Sequence, residues 1–134
     1  MGIRELQAKM AELNAEIERE GRSGIIAEWM PIFEKHPELL SVRWTQYTPY
    51  FNDGEECVFA KHDNYYTVKD AEGEEHEIEE YGDEEDPIDM TAIYASIREF
   101  PDIDADIYKA AFGDHAEVRL DRDGTVTVEA YEHD

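Results

Sequence analysis

The chain of 134 residues carries 35 acidic and 12 basic side chains, a formal net charge of −23 at pH 7, with 41% apolar and 11% aromatic residues. That charge excludes direct attraction to nucleic acid or anionic membranes, while eight Tyr and two Trp are too many for a disordered acidic tail. The single cysteine, Cys57, excludes an internal disulfide and any cysteine-based zinc spacing, which fits a reducing compartment such as the cytoplasm.

The length fits one domain over residues 1–134, able to bury roughly two-thirds of the surface its unfolded chain exposes. The first twenty residues alternate charged and apolar positions, and no apolar run approaches the roughly 18 residues of a membrane span, so neither a signal peptide nor a span is expected. Leu6 stands where a myristoylation signal needs Ser or Thr.

Ile3, Leu6, Met10, Leu13 and Ile17 recur at intervals of three and four, predicting an amphipathic helix that Gly21 ends. The stripe covers barely two heptads, so it is expected to pack on the protein's own core, with a helix-mediated dimer as the alternative. Ser23 can cap a second helix carrying Ile25, Ile26, Trp29, Ile32 and Phe33, which Pro31 kinks or divides and His36-Pro37 stops.

From Ser41 the period changes to two. The segments SVRWTQY, ECVFAKH and NYYTVKD read as strands of a meander, with turns at Asn52-Asp53-Gly54 and Ala71-Glu72-Gly73, and EEHEIEEY adds an acidic edge strand. Asp86-Pro87 reads as the start of a helix through Met90, Ile93, Tyr94, Ile97 and Phe100, closed by Pro101. A further helix turns Ile103, Ile107, Tyr108 and Ala111 inward, with Asp102, Asp104 and Asp106 in its first turn and Gly113 at its C-terminal cap. Alternation on both sides of Asp123-Gly124 predicts a closing hairpin. The expected class is α+β: an antiparallel sheet, meander plus C-terminal hairpin, with about four helices packed against it.

No segment names a reaction. Cys57 and His62 lie five residues apart on one expected strand and project to opposite faces. Asp102, Asp104 and Asp106 resemble the opening of a calcium loop, yet Ile107 replaces the required Gly and no Glu closes the loop; Arg119, Asp121 and Asp123 fail likewise. The neighbours His62-Asp63, Asp114-His115 and His133-Asp134 lack metal-ligand spacing. Phosphate loops, GxSxG and HExxH are absent. The expectation is a protein that is not an enzyme, with neither cofactor nor metal.

Two features remain. No basic residue occurs between Lys69 and Arg98, and Asp70 to Asp89 hold twelve acids in twenty residues. Trp44, Tyr47, Tyr50, Phe51, Phe59, Tyr65 and Tyr66 crowd the 23 residues from 44 to 66. A thick core and a solubilising surface are the plain readings. A partner-binding patch is the functional one.

The segments VRWTQYTPYFNDGEECVF and FGDHAEVRLDRDGTVTVEAYEHD resemble an uncharacterised family of small proteins of tailed bacteriophages. The resemblance implies a phage accessory protein and supplies no activity or catalytic residues. The acidic stretch is not part of it.

The leading expectation is a non-enzymatic, acidic phage-type inhibitor of a basic, nucleic-acid-binding surface on a host or anti-phage defence protein, with DNA mimicry as one mode. It would act in the cytoplasm of the infected bacterium as monomer or homodimer, without direct contact to nucleic acid or membrane. Its partner-binding residues are Glu74, Glu75, Glu79, Glu80, Asp83, Glu84 and Glu85, with the exposed members of Tyr47, Tyr50, Phe51 and Tyr66 as apolar anchor. A domain roughly 36 Å across matches a duplex bearing about 21 phosphates. The alternative is a small-ligand or nucleotide-binding module built on the aromatics of 44–66, which for phosphate needs Arg43, Lys61 or Arg98 to cluster.

Overall fold

One helix, α1 (Ile3–Lys35), runs through both Gly21 and Pro31 where two helices were expected. The architecture is that of a computed structural model, which describes residues 2–49, 57–80 and 85–132. Gly21 is no stop signal. A Cβ built there would lie 3.2 Å from Cγ2 of Ile107 and 3.7 Å from Cβ of Ala111, so the glycine lets a later helix approach the α1 backbone. Pro31 falls in an exposed position of the last turns, and burial of Ile25, Trp29, Ile32 and Phe33 around it outweighs the ~3 kcal/mol that an interior proline costs a helix.

The remaining elements are β1 (Leu39–Tyr47), β2 (Ala60–Lys61), β3 (Tyr65–Lys69), β4 (Glu75–Glu79), α2 (Thr91–Arg98), α3 (Ala105–Phe112), β5 (Ala116–Asp121) and β6 (Val126–Ala130). The class is α+β with a six-stranded antiparallel sheet, and among the described residues there are three helices, fewer than expected because the first two are one. Helix α2 begins later than Asp86-Pro87 suggested, since the Asp89 carboxylate accepts the Thr91 N–H at 3.0 Å and forms the local turn instead. Asp104 caps α3 by accepting the Asp106 N–H at 2.8 Å, and Gly113 and Gly124 take the positive φ values of 94° and 91° that their turns require. The Asn52-Asp53-Gly54 turn lies outside the described residues.

The strand order is β4-β3-β1-β5-β6, with β2 also on β1, so β1 is the central strand and the C-terminal hairpin pairs with its far side. Alternation turns Val42, Trp44 and Gln46 of β1, Tyr66 and Val68 of β3, Ile78 of β4 and Val118 and Leu120 of β5 onto the core. The C-terminal half of α1, α2 and α3 supply the other side of that core. Polar side chains, buried Gln46 among them, are tied to helix ends. Gln46 Nε2 donates to the carbonyls of Tyr108 (2.9 Å) and Gly113 (2.7 Å), Arg22 donates to Ala111 O, and Arg122 spans the carbonyls of Phe33, Pro37 and Leu39 where α1 stops. Ala111 O and Phe33 O are among the last-turn carbonyls that α3 and α1 leave without intrahelical partners.

The stripe Ile3, Leu6, Met10, Leu13 and Ile17 does not pack on this core: all five residues are exposed. The expectation that it would fails because the helix is continuous and carries its first half past the sheet. No helix among the described residues is long and apolar enough to cross a membrane.

Candidate functional site

The acidic stretch builds a hairpin edge. Between β3 and β4 the Asp70 carboxylate accepts the backbone N–H groups of Glu72 and Glu74, both at 2.9 Å, and pairs with His76 Nε2 at 2.7 Å. The His76 contact first, then those N–H groups, hold the Asp70 carboxyl below its usual range. Ligand atoms of Asp70, Glu74 and His76 lie within 4.8 Å of one another; the turn's own hydrogen bonds hold Asp70 against His76 and the Glu74 backbone.

Strand β4 forms one margin of the sheet, and its Glu75, Glu77 and Glu79 are exposed on the face opposite the core. Glu77 is neutralised by Arg43, which also reaches Glu117 at 3.5 Å and sits over the Tyr65 ring at 4.3 Å. Partial burial works against the Arg43 charge, but the Glu77 hydrogen bond and the two carboxylates outweigh it and its pKa is raised. Glu75 and Glu79 have no ion-pair partner among the described residues. Across the ladder Tyr65 stands opposite Glu79, and Tyr47, half-buried, shares the same outer face and stacks on His62 at 4.1 Å.

The expected contact residues therefore divide. Glu74, Glu75 and Glu79 are exposed at one edge, and Glu85 is exposed further along the chain. Glu80 is half-buried and accepts the Tyr66 hydroxyl. Tyr66 itself is fully buried, its ring against Trp29 and Tyr94, so it cannot serve as a surface anchor. Tyr50, Phe51, Asp83 and Glu84 lie outside the described residues. Tyr65, half-buried like Tyr47 on the same outer face, is the aromatic side chain next to the exposed acids of β4. Parity with the inward Val68 was the signal, because residues 66 and 68 share a face and 65 takes the other.

A second feature lies on the core side. Strands β2 and β3 are successive pieces of one partner of β1: Gln46 faces Lys61 and Arg43 faces Tyr65, so Trp44 and Thr45 stand opposite the three residues 62–64. This extra residue is a bulge, which re-aims neighbouring side chains. Lys61 Nζ donates to Asn64 Oδ1 at 2.6 Å, Asn64 Nδ2 to the Tyr66 hydroxyl at 3.0 Å, and that hydroxyl to Glu80. Lys61 and Asn64 border a cleft of about 720 Å³ with Trp29, Tyr94, Arg98 and Tyr108. Burial lowers the Lys61 pKa to about 8 against the pull of Glu80 and Asp63. Burial, then Asp102, pushes the Tyr108 hydroxyl up to about 12, and burial with the Glu80 contact pushes Tyr66 higher still.

Lys61 and Arg98 both line this cleft, whereas Arg43 is on the other face of the sheet. Asn64 and Trp29 carried no functional signal in the sequence, since a bulge and a helix contact bring them here. No family model, curated protein or solved structure matches the chain.

Proposed function

We propose that this protein is a non-enzymatic acidic inhibitor that docks on a basic, nucleic-acid-binding surface of a host or anti-phage defence protein. The observation that carries the reading is the edge strand β4, where Glu75 and Glu79 continue from Glu74 on a sheet face that no described helix covers, beside Tyr65. Acids at an uncovered edge steer association with a basic partner, and a desolvated tyrosine slows its departure. The phage setting comes from the sequence resemblance.

Charge density argues for docking over imitation of a groove. Alternate residues of a strand stand about 6.8 Å apart, whereas one DNA strand places a phosphate every ~3.4 Å along its axis. With Glu77 neutralised, the row is sparser still. The test is a pull-down from bacterial lysate at low and high salt, followed by association kinetics with the captured protein. Glu74→Gln, Glu75→Gln and Glu79→Gln together are expected to lower the on-rate and flatten its salt dependence, and an unchanged rate and slope would sink the reading.

A second reading has its own support in the convergence of Lys61 and Arg98 on the aromatic cleft. It makes the protein a binder of a small anionic ring compound, such as a nucleoside monophosphate. Glu79, Glu80, Asp86 and Asp102 around the same cleft oppose a polyphosphate. Calorimetric titration with a panel of nucleotides decides it, with binding expected in the wild type and lost in Lys61→Met.

A further inference from the structure

Residues 3–20 of α1 present an apolar stripe that nothing among the described residues covers. Ile3, Leu6, Met10, Leu13 and Ile17 are 70%, 44%, 63%, 57% and 42% exposed. The segment is about 27 Å of helix; helices in proteins draw most of their stability from packing an amphipathic face, and a contiguous exposed apolar stripe marks an interaction surface. We propose that the partner is a second copy of this chain, joined through an antiparallel pairing of the two α1 arms.

Charge selects both the partner and the direction. Residues 1–24 hold Arg4, Lys9, Arg19 and Arg22 against Glu5, Glu12, Glu16, Glu18 and Glu20, a net of 4 − 5 = −1, which leaves −22 for the other 110 residues. Two such chains meet with least repulsion at their arms. Within the arm, residues 3–10 carry +1 (Arg4 and Lys9 against Glu5) and residues 11–20 carry −3 (Arg19 against Glu12, Glu16, Glu18 and Glu20). Antiparallel pairing sets these opposite halves together; parallel pairing sets −3 on −3. With Ile3, Met10 and Ile17 at heptad position a and Leu6 and Leu13 at d, antiparallel layers bring Met10 against Leu13 and Leu6 against Ile17 of the second copy. Lys9 and Glu16 occupy position g and flank one another across the pair, twice by symmetry.

Area makes a further demand. A helix strip about 27 Å by 10 Å falls well short of the roughly 800 Å² per partner of a standard interface. The stripe continues into an apolar groove of about 450 Å³, lined by Ile17, Gly21, Gly24, Ile25, Ile103 and Ile107. In the same register Ile3 of the second copy comes level with Glu20, at the mouth of that groove, so the groove extends the contact.

Sedimentation velocity on the full chain, from about 1 to about 200 μM, tests this with circular dichroism as the check of fold. A concentration-dependent dimer is expected. Met10→Glu with Leu13→Glu should weaken it at least about tenfold while the folded spectrum remains, because both side chains are exposed in the single chain. Lys9→Glu alone and Glu16→Lys alone should each weaken the dimer, and the two combined should recover part of the loss, since the local pair is restored while the two halves of the arm each carry −1. A monomer throughout, or a dimer indifferent to Met10→Glu with Leu13→Glu, overturns the proposal. A dimer that the Lys9 and Glu16 exchange fails to rescue overturns the antiparallel arrangement.

Discussion

The two halves of α1 have the same apolar periodicity and opposite fates. Ile25, Trp29, Ile32 and Phe33 are at most 7% exposed, whereas the stripe from Ile3 to Ile17 is 42–70% exposed. Length explains the difference. Thirty-three helical residues extend about 50 Å, and a domain of this size is roughly 36 Å across, so an unbroken α1 cannot be covered along its whole course. Periodicity shows which face of a helix is apolar; it does not show what that face meets.

One substitution in each half should separate the two fates most widely. Trp29→Ala, which removes a ring packed against Phe33, Tyr66 and Phe100, should cost about 3–5 kcal/mol in urea unfolding. Leu13→Asp in the exposed half should change the stability of the single chain by less than about 0.5 kcal/mol. Equal losses would mean that the arm packs on the core after all.

The packed half borders the cleft through Trp29, and there pH is the probe. Lys61 falls from 10.5 to about 8 on folding, so between those values the unfolded chain binds more protons. Stability should therefore rise with pH from about 8 toward 10, by at most about 3 kcal/mol from this group. Above pH 10 the raised Tyr66 and Tyr108 act in the other direction, because the unfolded tyrosines ionise first. Denaturant titrations of wild type and Lys61→Met check the sign, the variant lacking the rise. A wild-type curve flat across that window would show Lys61 to be solvated.

Salt separates the halves more gently. The body, at −22 outside residues 1–24, should gain several degrees in melting temperature from about 20 mM to about 500 mM NaCl as repulsion is screened. A falling melting temperature would mean that the acids are locally compensated.

The smallest effect contrasts two glycines of the same helix. Gly24 has nothing within 4 Å of a built Cβ, so Gly24→Ala should stabilise by about 0.5–1 kcal/mol. Gly21→Ala must displace Ile107 and should yield less than Gly24→Ala, or destabilise. Equal gains at both sites in the same unfolding assay would show that α3 does not approach α1 closely.

Elements governed by neighbours in the chain were legible in the sequence. The period of two around Trp44, the Asp123-Gly124 turn, the Gly113 cap and the apolar face of α3 depend on side-chain alternation, positive φ and local capping, all of which act over a few residues. The acidic edge was legible too, because Glu75, Glu77 and Glu79 alternate with Ile78 and His76 and must share the face opposite the buried Ile78. Tertiary contacts decided the rest. Gly21 and Pro31 carry the usual marks of helix ends, yet α1 continues, since the proximity of Ile107 and the burial of Trp29 and Phe33 exceed those local penalties. Parity with Val68 puts Tyr66 and Tyr65 on opposite faces, and packing against Trp29 and Tyr94 decides that the Tyr66 face is the core. Lys61, Asn64 and Arg98 are scattered along 38 residues; a one-residue bulge and the docking of α2 gather all three with Trp29 at one cleft. Local rules set which faces are apolar and which acidic, and long-range packing alone determined which of those faces were covered, because burial depends on what the whole chain brings alongside.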